Sequence, residues 1–324
     1  MARYGDLAVR GPRFGVLAQD PSEAPEWRVV VSVTAITPQE ARDELHSMLW
    51  FRAKDEAKDV AERRSLLAAV ARLERERADD LTAAGTRFRV VRAEEYARTG
   101  PDGMEPPRPT DPEPLVPDWS PTLDPYVDDG AVVDPDAPVT PAQAAERLSL
   151  RDLCYTGGRF PEAVLEDSLK ALDTHRDIVL LPPTFTVVER SPNGWRPHSG
   201  PHATAHSARK SLDFSLTWEW PRKHGLLPAD PDGEFGVRPL IVDDDTDVSV
   251  PELAVYVEAV RELRSGRVIE LTFQDTTYQI ARTCRLLRWS PVGPEGPRPS
   301  DIERQDPDRM HPPLDENGVI LPED

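Results

Sequence analysis

Pro101-Asp-Gly-Met-Glu-Pro-Pro-Arg-Pro-Thr-Asp-Pro-Glu113 returns further along the chain as Pro291-Val-Gly-Pro-Glu-Gly-Pro-Arg-Pro-Ser-Asp-Ile-Glu303. Both stretches read P-x-G-x-E-x-P-R-P-x-D-x-E. Carried back to Leu81 and Leu271, the alignment needs no gap and 13 of 33 positions are identical, against about two expected from composition. Arg92 and Arg98 fall on Arg282 and Arg288. Earlier matches keep the same order at shorter offsets: Phe14, Val16 and Trp27 fall on Phe185, Val187 and Trp195, and Thr37, Ala41, Arg42, Leu45 and Leu49 on Thr204, Ala208, Arg209, Leu212 and Leu216. The last set has the spacing of one helix face.

The repeat sets the expected architecture: an α+β fold of two duplicated units, each an antiparallel sheet with helices packed on one face, forming a pseudo-dimer. The first unit spans 1–113, a Pro/Asp-rich strap or linker 114–140, the second unit 141–306 and an acidic tail 307–324. The change of offset places an insertion near 220–248. Proline withholds a backbone donor and fixes φ, which denies the strap a helix or a sheet interior. The strap nonetheless carries Trp119 and Tyr126, which predicts packing on a domain. The tail after Asp306, proline-rich and acidic, reads as loosely held.

Within the first unit, Phe14–Ala18 and Trp27–Ala35 are β-branched and aromatic runs that predict two adjacent strands. Thr37-Pro38-Gln39-Glu40 is a capping-box start, and the apolar positions that follow predict one long helix or two abutting ones through Leu73. Leu81-Thr82 and Phe88–Val91 around Gly85-Thr86 predict a hairpin. In the second unit, Ile178–Leu181 and Phe185–Glu189 predict strands, Ser249-Val250-Pro251-Glu252 a helix start, and Val268–Phe273 with Tyr278–Ala281 the closing strands. Helices are expected at Pro141–Leu153 and Pro161–Leu172.

Composition narrows the function. The 324 residues hold 58 Asp and Glu against 39 Lys and Arg, a net charge of −19, with 35 prolines and 2 cysteines. That charge opposes a phosphate backbone, so no nucleic-acid partner is expected. No apolar run approaches the roughly 20 residues of a spanning helix, and the N-terminal residues do not read as a signal peptide. No membrane partner is expected, and the cytoplasm is the expected location. Cys154 and Cys284 read as small apolar side chains, with no disulfide framework.

The motifs are weighed on their chemistry. His198, His202 and His206 form H-x3-H-x3-H, metal-ligand residue types at helical spacing, with zinc the metal that such a set would take. Gly200 and Pro201 break any helix there, and no carboxylate lies between the histidines, so exposed loop histidines are the simpler reading and no cofactor is expected. In the doubled P-R-P segment, Arg108 and Arg298 read either as anion-binding groups or as structural clips, with Glu105 and Asp111, or Glu295 and Asp301, accepting from the guanidinium; the clip is preferred. Tyr155-Thr156-Gly157-Gly158-Arg159 reads as a helix-to-helix turn. Asp243-Asp244-Asp245 with Asp247 lacks the glycine and distal glutamate of a calcium loop.

Arg10-Gly11-Pro12-Arg13-Phe14-Gly15-Val16, Leu49-Trp50-Phe51-Arg52-Ala53-Lys54, Arg98-Thr99-Gly100-Pro101-Asp102-Gly103 and Pro294-Glu295-Gly296-Pro297-Arg298-Pro299-Ser300-Asp301 together resemble an uncharacterised actinobacterial domain-of-unknown-function family. The resemblance covers most of the chain and implies no activity or catalytic residue. It also implies more sequence before the first strand, so that the chain is expected to start short and lack a first-unit helix; comparison of the two units places the helix at 141–153 to fill that vacancy.

The densest repeated residues are Pro, Gly and a charge clip, not a convergent acid, base and nucleophile. The expected function is therefore that of a non-enzymatic binding or scaffold protein with a protein partner. The alternative is a small-molecule enzyme or metal-binding protein using a cleft between the units, with His198, His202 and His206 beside Arg209.

Overall fold

The computed structural model describes residues 3–24, 26–120, 124–191, 194–228 and 251–321. In chain order the described elements begin β1 (Asp6–Gln19), β2 (Trp27–Ala35), α1 (Pro38–Phe51), a π-helical turn (Arg52–Glu56), α2 (Val60–Leu73), β3 (Asp80–Ala83), β4 (Thr86–Gly100), β5 (Gly103–Met104) and β6 (Val132–Val133). There follow α3 (Pro141–Leu150), α4 (Glu162–Thr174), β7 (Asp177–Leu180), β8 (Thr184–Ser191), β9 (Gly194–Pro197), α5 (Ala205–Phe214), a second π-helical turn (Ser215–Glu219) and α6 (Trp220–Lys223). The last are α7 (Pro251–Arg264), β10 (Glu270–Phe273), β11 (Thr276–Ser290) and β12 (Gly293–Pro294). The class is α+β with antiparallel strand pairing. Most of the insertion expected near 220–248, the acidic run at 243–247 and the start signal at 249–250 lie outside the described residues.

The chain forms two compact units that do not coincide with the contiguous segments 1–113 and 141–306. One unit gathers residues 9–96, 127–182 and 284–324; the other gathers 1–8, 97–126 and 183–283. The long strands β4 and β11 are the elements along which the chain passes from one unit to the other. Each P-R-P segment therefore belongs with the body of the opposite repeat.

In the unit built on 9–96, Thr37 caps α1 by accepting from the Glu40 amide at 3.2 Å, and Glu40 reaches back to the Ile36 amide at 2.8 Å. The box thus closes one residue earlier than the pattern predicts. α1 and α2 bury Leu45, Leu49, Leu66 and Val70 against Phe14, Val16, Phe88 and Val90. Leu17 and Val91, next to Val16 and Val90, belong to a different apolar cluster with Trp27, Val133, Leu181, Leu287 and Trp289. Neighbours in a strand point to opposite faces, so both faces of this sheet are covered here. Register slips between β1 and β2 set Val31 opposite Val16 but Val29 opposite Leu17. Irregular pairing of this kind lets β2 feed both clusters.

The tail expected to be loose is packed against α1 and α2. Trp50 Nε1 donates to the Pro312 carbonyl at 2.9 Å, His311 stacks on Trp50 at 4.6 Å, and Arg63 donates to the Glu316 carbonyl at 3.1 Å. A buried indole needs an acceptor, and the proline-rich tail supplies a carbonyl.

In the other unit, Thr204 caps α5 by accepting from the Ser207 amide at 3.0 Å. β8 pairs with β11 from Thr184↔Thr283 to Arg190↔Thr277, and Leu212, Leu216, Tyr256, Val260 and Leu263 close over Phe185, Val187 and Ile280. Ending the chain at Asp306 should lower the melting temperature by roughly 5 °C, as loss of one or two kcal/mol would; a calorimetric scan against the full chain checks this.

Candidate functional site

In Pro297-Arg298-Pro299 both neighbours of Arg298 lack an N–H, so its own amide is the donor the segment can use. It donates to Asp301 Oδ2 at 2.7 Å, and the Asp301 amide returns to the Arg298 carbonyl at 3.0 Å. The guanidinium then forks onto Glu295, Nε to Oε1 at 2.7 Å and Nη2 to Oε2 at 3.0 Å. Its remaining nitrogen, Nη1, donates to Glu94 Oε1 at 3.1 Å. Strand β4 answers with Arg92. Its amide donates to the Glu295 carbonyl at 3.0 Å, its Nε to both Asp301 oxygens at 3.1 Å, and its Nη1 to Glu94 at 2.5 Å. Tyr155 donates its hydroxyl to the other Glu94 oxygen at 2.5 Å.

Arg92 and Arg298 thus meet Glu94 and Glu295, all four buried, and Asp301, which is half-buried but whose side chain is only 5% exposed. Burial pushes the Glu94 carboxyl up, but Arg92 and Arg298, with Tyr155 donating, outweigh it and hold the group below its ordinary range. At Asp301 burial wins over Arg92 and leaves the carboxyl above its ordinary range. Charge-assisted, bidentate bonds of this kind are strong and geometrically exacting.

The other unit repeats the pattern. The Arg108 amide donates to Asp111 Oδ2 at 2.8 Å and its Nε to Glu105 Oε1 at 2.6 Å. Arg282 donates its amide to the Glu105 carbonyl at 2.8 Å and its Nε to Asp111 at 3.0 Å. Glu113 accepts from Arg209, as Glu303 accepts from Arg42 at 2.6 Å. Two residues beyond Arg92 stands Glu94; two beyond Arg282 stands Cys284. The Arg108 side chain is 39% exposed and that of Arg298 only 6%.

The expected contact of each guanidinium with the neighbouring glutamate is present, Arg108 to Glu105 and Arg298 to Glu295; beyond it, Asp111 also meets Arg282 and Asp301 meets Arg92, each from the opposite repeat. The glycine of the signature also has a physical reason. Gly103 and Gly293 sit at φ +112° and +119°, and a Cβ there would meet the ring of Trp195 at 2.8 Å and of Trp27 at 3.3 Å, respectively.

The three histidines have separate surroundings. His198 Nε2 lies 3.3 Å from Ser215 Oγ. His202 pairs its backbone with Phe185; its buried Nε2 has no partner, and burial lowers its pKa. His206 Nε2 lies 2.9 Å from the Asp118 carbonyl and 3.2 Å from its amide, and its ring meets Trp119 edge-on at 4.9 Å. Among the described residues no group of three or more His, Cys, Asp or Glu is placed to hold a metal ion. The helical spacing that suggested a site is lost because α5 starts only at Ala205.

Ser215 donates to Glu219 Oε2 at 3.1 Å, beside His198, in a cavity also lined by Tyr278 and Lys223. There the carboxylate sits on the serine and not on the histidine. That inverts the order in which an orienting acid, a base and a nucleophile act.

Sequence reasoning missed Arg92, Arg282, Glu94 and Tyr155 as members of the clips. The two arginines were visible as identities in the repeat, whereas Glu94 and Tyr155 have no repeated counterpart.

The fold and the site together define an α+β protein with a doubled Pro/Gly/charge clip. The chain belongs to the family of unknown function DUF5954, whose model matches residues 1–304. No curated protein and no solved structure matches it. Among the described residues no helix is long and apolar enough to cross a membrane.

Arg298→Ala strands Glu295 and part of Glu94 in a buried site and should cost about 3–5 kcal/mol. Arg108→Ala, at a partly exposed pair, should cost about 1 kcal/mol or less; urea unfolding of both variants reads the asymmetry. The stabilisation from Glu94, whose folded pKa is depressed, is present above the unfolded value of about 4.3 and lost as pH falls through the folded one. Asp301 has the opposite sign, favouring the fold when protonated and losing that contribution as pH rises through its raised value. Glu94→Gln is accordingly expected to lower stability at pH 7 and to flatten its decline in acid, measured by urea unfolding at stepped pH.

Proposed function

We propose that the protein is a non-enzymatic binding or scaffold protein acting through protein–protein contacts. The observation that carries this reading is the arch Pro114-Leu115-Val116-Pro117. On one side Glu113 is held by Arg209. On the other, Asp118 and Trp119 are held by His206, and Arg264 lies over the Trp119 ring at 5.5 Å. Between these anchors Leu115 is 95% exposed and Val116 79%. Flanking prolines stiffen the extended backbone and lower the entropy lost when a partner groove takes it.

The clips support the same reading, because their arginines and carboxylates are engaged with one another and hold a frame. We infer further that the chain arose by duplication with its P-R-P segments exchanged. The matching clips, the paired threonine caps and the π-helical turn after each capped helix support that. A cytoplasmic location fits Cys154 and Cys284, which are not joined in a disulfide.

Leu115→Asp with Val116→Asp should leave the melting temperature within about 1 °C, since neither side chain is buried. A photo-crosslinker at Leu115, used in the native host, should give one defined protein adduct identified by mass spectrometry and lost with Val116→Asp. Absence of any such adduct would contradict the reading.

A further inference from the structure

A groove of about 940 Å³ opens on the unit built around 9–96, lined by Arg87, Arg147, Arg151 and Arg176 with only Asp136 and Asp177 as carboxylates. The floor is apolar. Trp27 and Trp289 meet edge to face at 6.5 Å, and both are buried beside Ile178. At the rim Leu148 and Val292 are 72% and 71% exposed.

Three of the four arginines have no carboxylate partner among the described residues, as is also true of Arg63, Arg222 and Arg288, which donate to backbone carbonyls; what sets the three apart is that they line one groove. Arg87 is bonded to Asp80 at 3.0 and 2.6 Å. Arg147 donates only to the Pro135 carbonyl, at 3.4 Å, and Arg176 only to the Asp173 carbonyl, at 3.3 Å. The Arg151 side chain makes no hydrogen bond or ion pair with a described residue, and no described carboxylate is within ion-pair distance of any of the three. This is a chain with a net charge of −19, in which Arg42, Arg92, Arg285 and Arg298 each hold a carboxylate. Three such guanidiniums converge on this one groove, beside only two lining carboxylates. Arg147 and Arg151 are four residues apart, one turn of α3. Proximity to the C-terminus of that helix accounts for a favourable charge there, but not for Arg176 facing the same groove from the other side of the sequence.

We propose that this groove binds a small organic anion carrying phosphate or carboxylate groups on an apolar body. Arg147, Arg151 and Arg176 offer forked N–H donors suited to an oxyanion, while Ile178, Leu148 and Val292 offer apolar surface to the remainder. The volume lies within the range of small-molecule sites, roughly 300–1,000 Å³. Attraction to the groove acts against the repulsion of the acidic chain as a whole, so binding weakens as salt rises.

The test is titration calorimetry of the full chain with pyrophosphate, ADP and citrate as probes, beside an Arg147→Gln, Arg151→Gln double variant and an Arg196→Gln control outside the groove. Saturable binding of at least one probe is expected, weakened by about tenfold or more in the double variant and unchanged in the control. Pyrophosphate or ADP binding without citrate assigns a phosphate ligand; citrate alone assigns a carboxylate. Unchanged melting temperature in the double variant keeps the comparison free of folding effects, because Arg151 has no internal partner to lose. Failure of all three probes to saturate, or equal binding by the double variant, would overturn the proposal.

Discussion

A guanidinium taken out of water must find a carboxylate or cost several kcal/mol, and Arg92, with only 2% of its side chain exposed, finds Asp301 and Glu94. Arg282 makes the parallel demand and meets Asp111. Both strand arginines are answered by a segment whose prolines leave it few other bonds to make. The path of the chain follows from this. Residues 97–126 are drawn into the unit of 183–283, and residues from 284 onward into the unit of 9–96. β4 and β11 are long because each serves both ends of that route.

The two locks are unequal, and the inequality has a functional sense. Around Arg298, Glu94 and Tyr155 add partners that seal the network from solvent, and the same unit presents the arginine-lined groove. Around Arg108 there is more solvent, and the chain continues from that clip directly into the Pro114–Pro117 arch. The exposed arch belongs to the unit of 183–283 and the arginine-lined groove to the unit of 9–96.

Much of this was legible in the residues. The capping threonine at 37, the hairpin around Gly85 and the strand runs from Phe14 and Trp27 follow local rules that tertiary structure did not override. The signature itself declared a clip of Arg, Glu and Asp. What it could not declare is which arginine each clip meets, because two copies of one pattern satisfy their bonds equally well paired within a repeat or exchanged. Trp50 needed an acceptor that only the tail could supply, and nothing in Pro312 or Pro313 advertises that. The groove arginines come from separated segments, with Arg147 and Arg151 the only local hint, and the histidine spacing misled because it crosses Gly200 and Pro201 before the helix begins.

Exchange of the clips is measured most directly by two double-mutant cycles on unfolding free energy, one joining Asp111→Ala to Arg282→Ala and the other joining Asp111→Ala to Arg92→Ala. The account expects a coupling of about 1–3 kcal/mol in the first cycle and additivity within about 0.5 kcal/mol in the second. Coupling between Asp111 and Arg92, with additivity between Asp111 and Arg282, would contradict it.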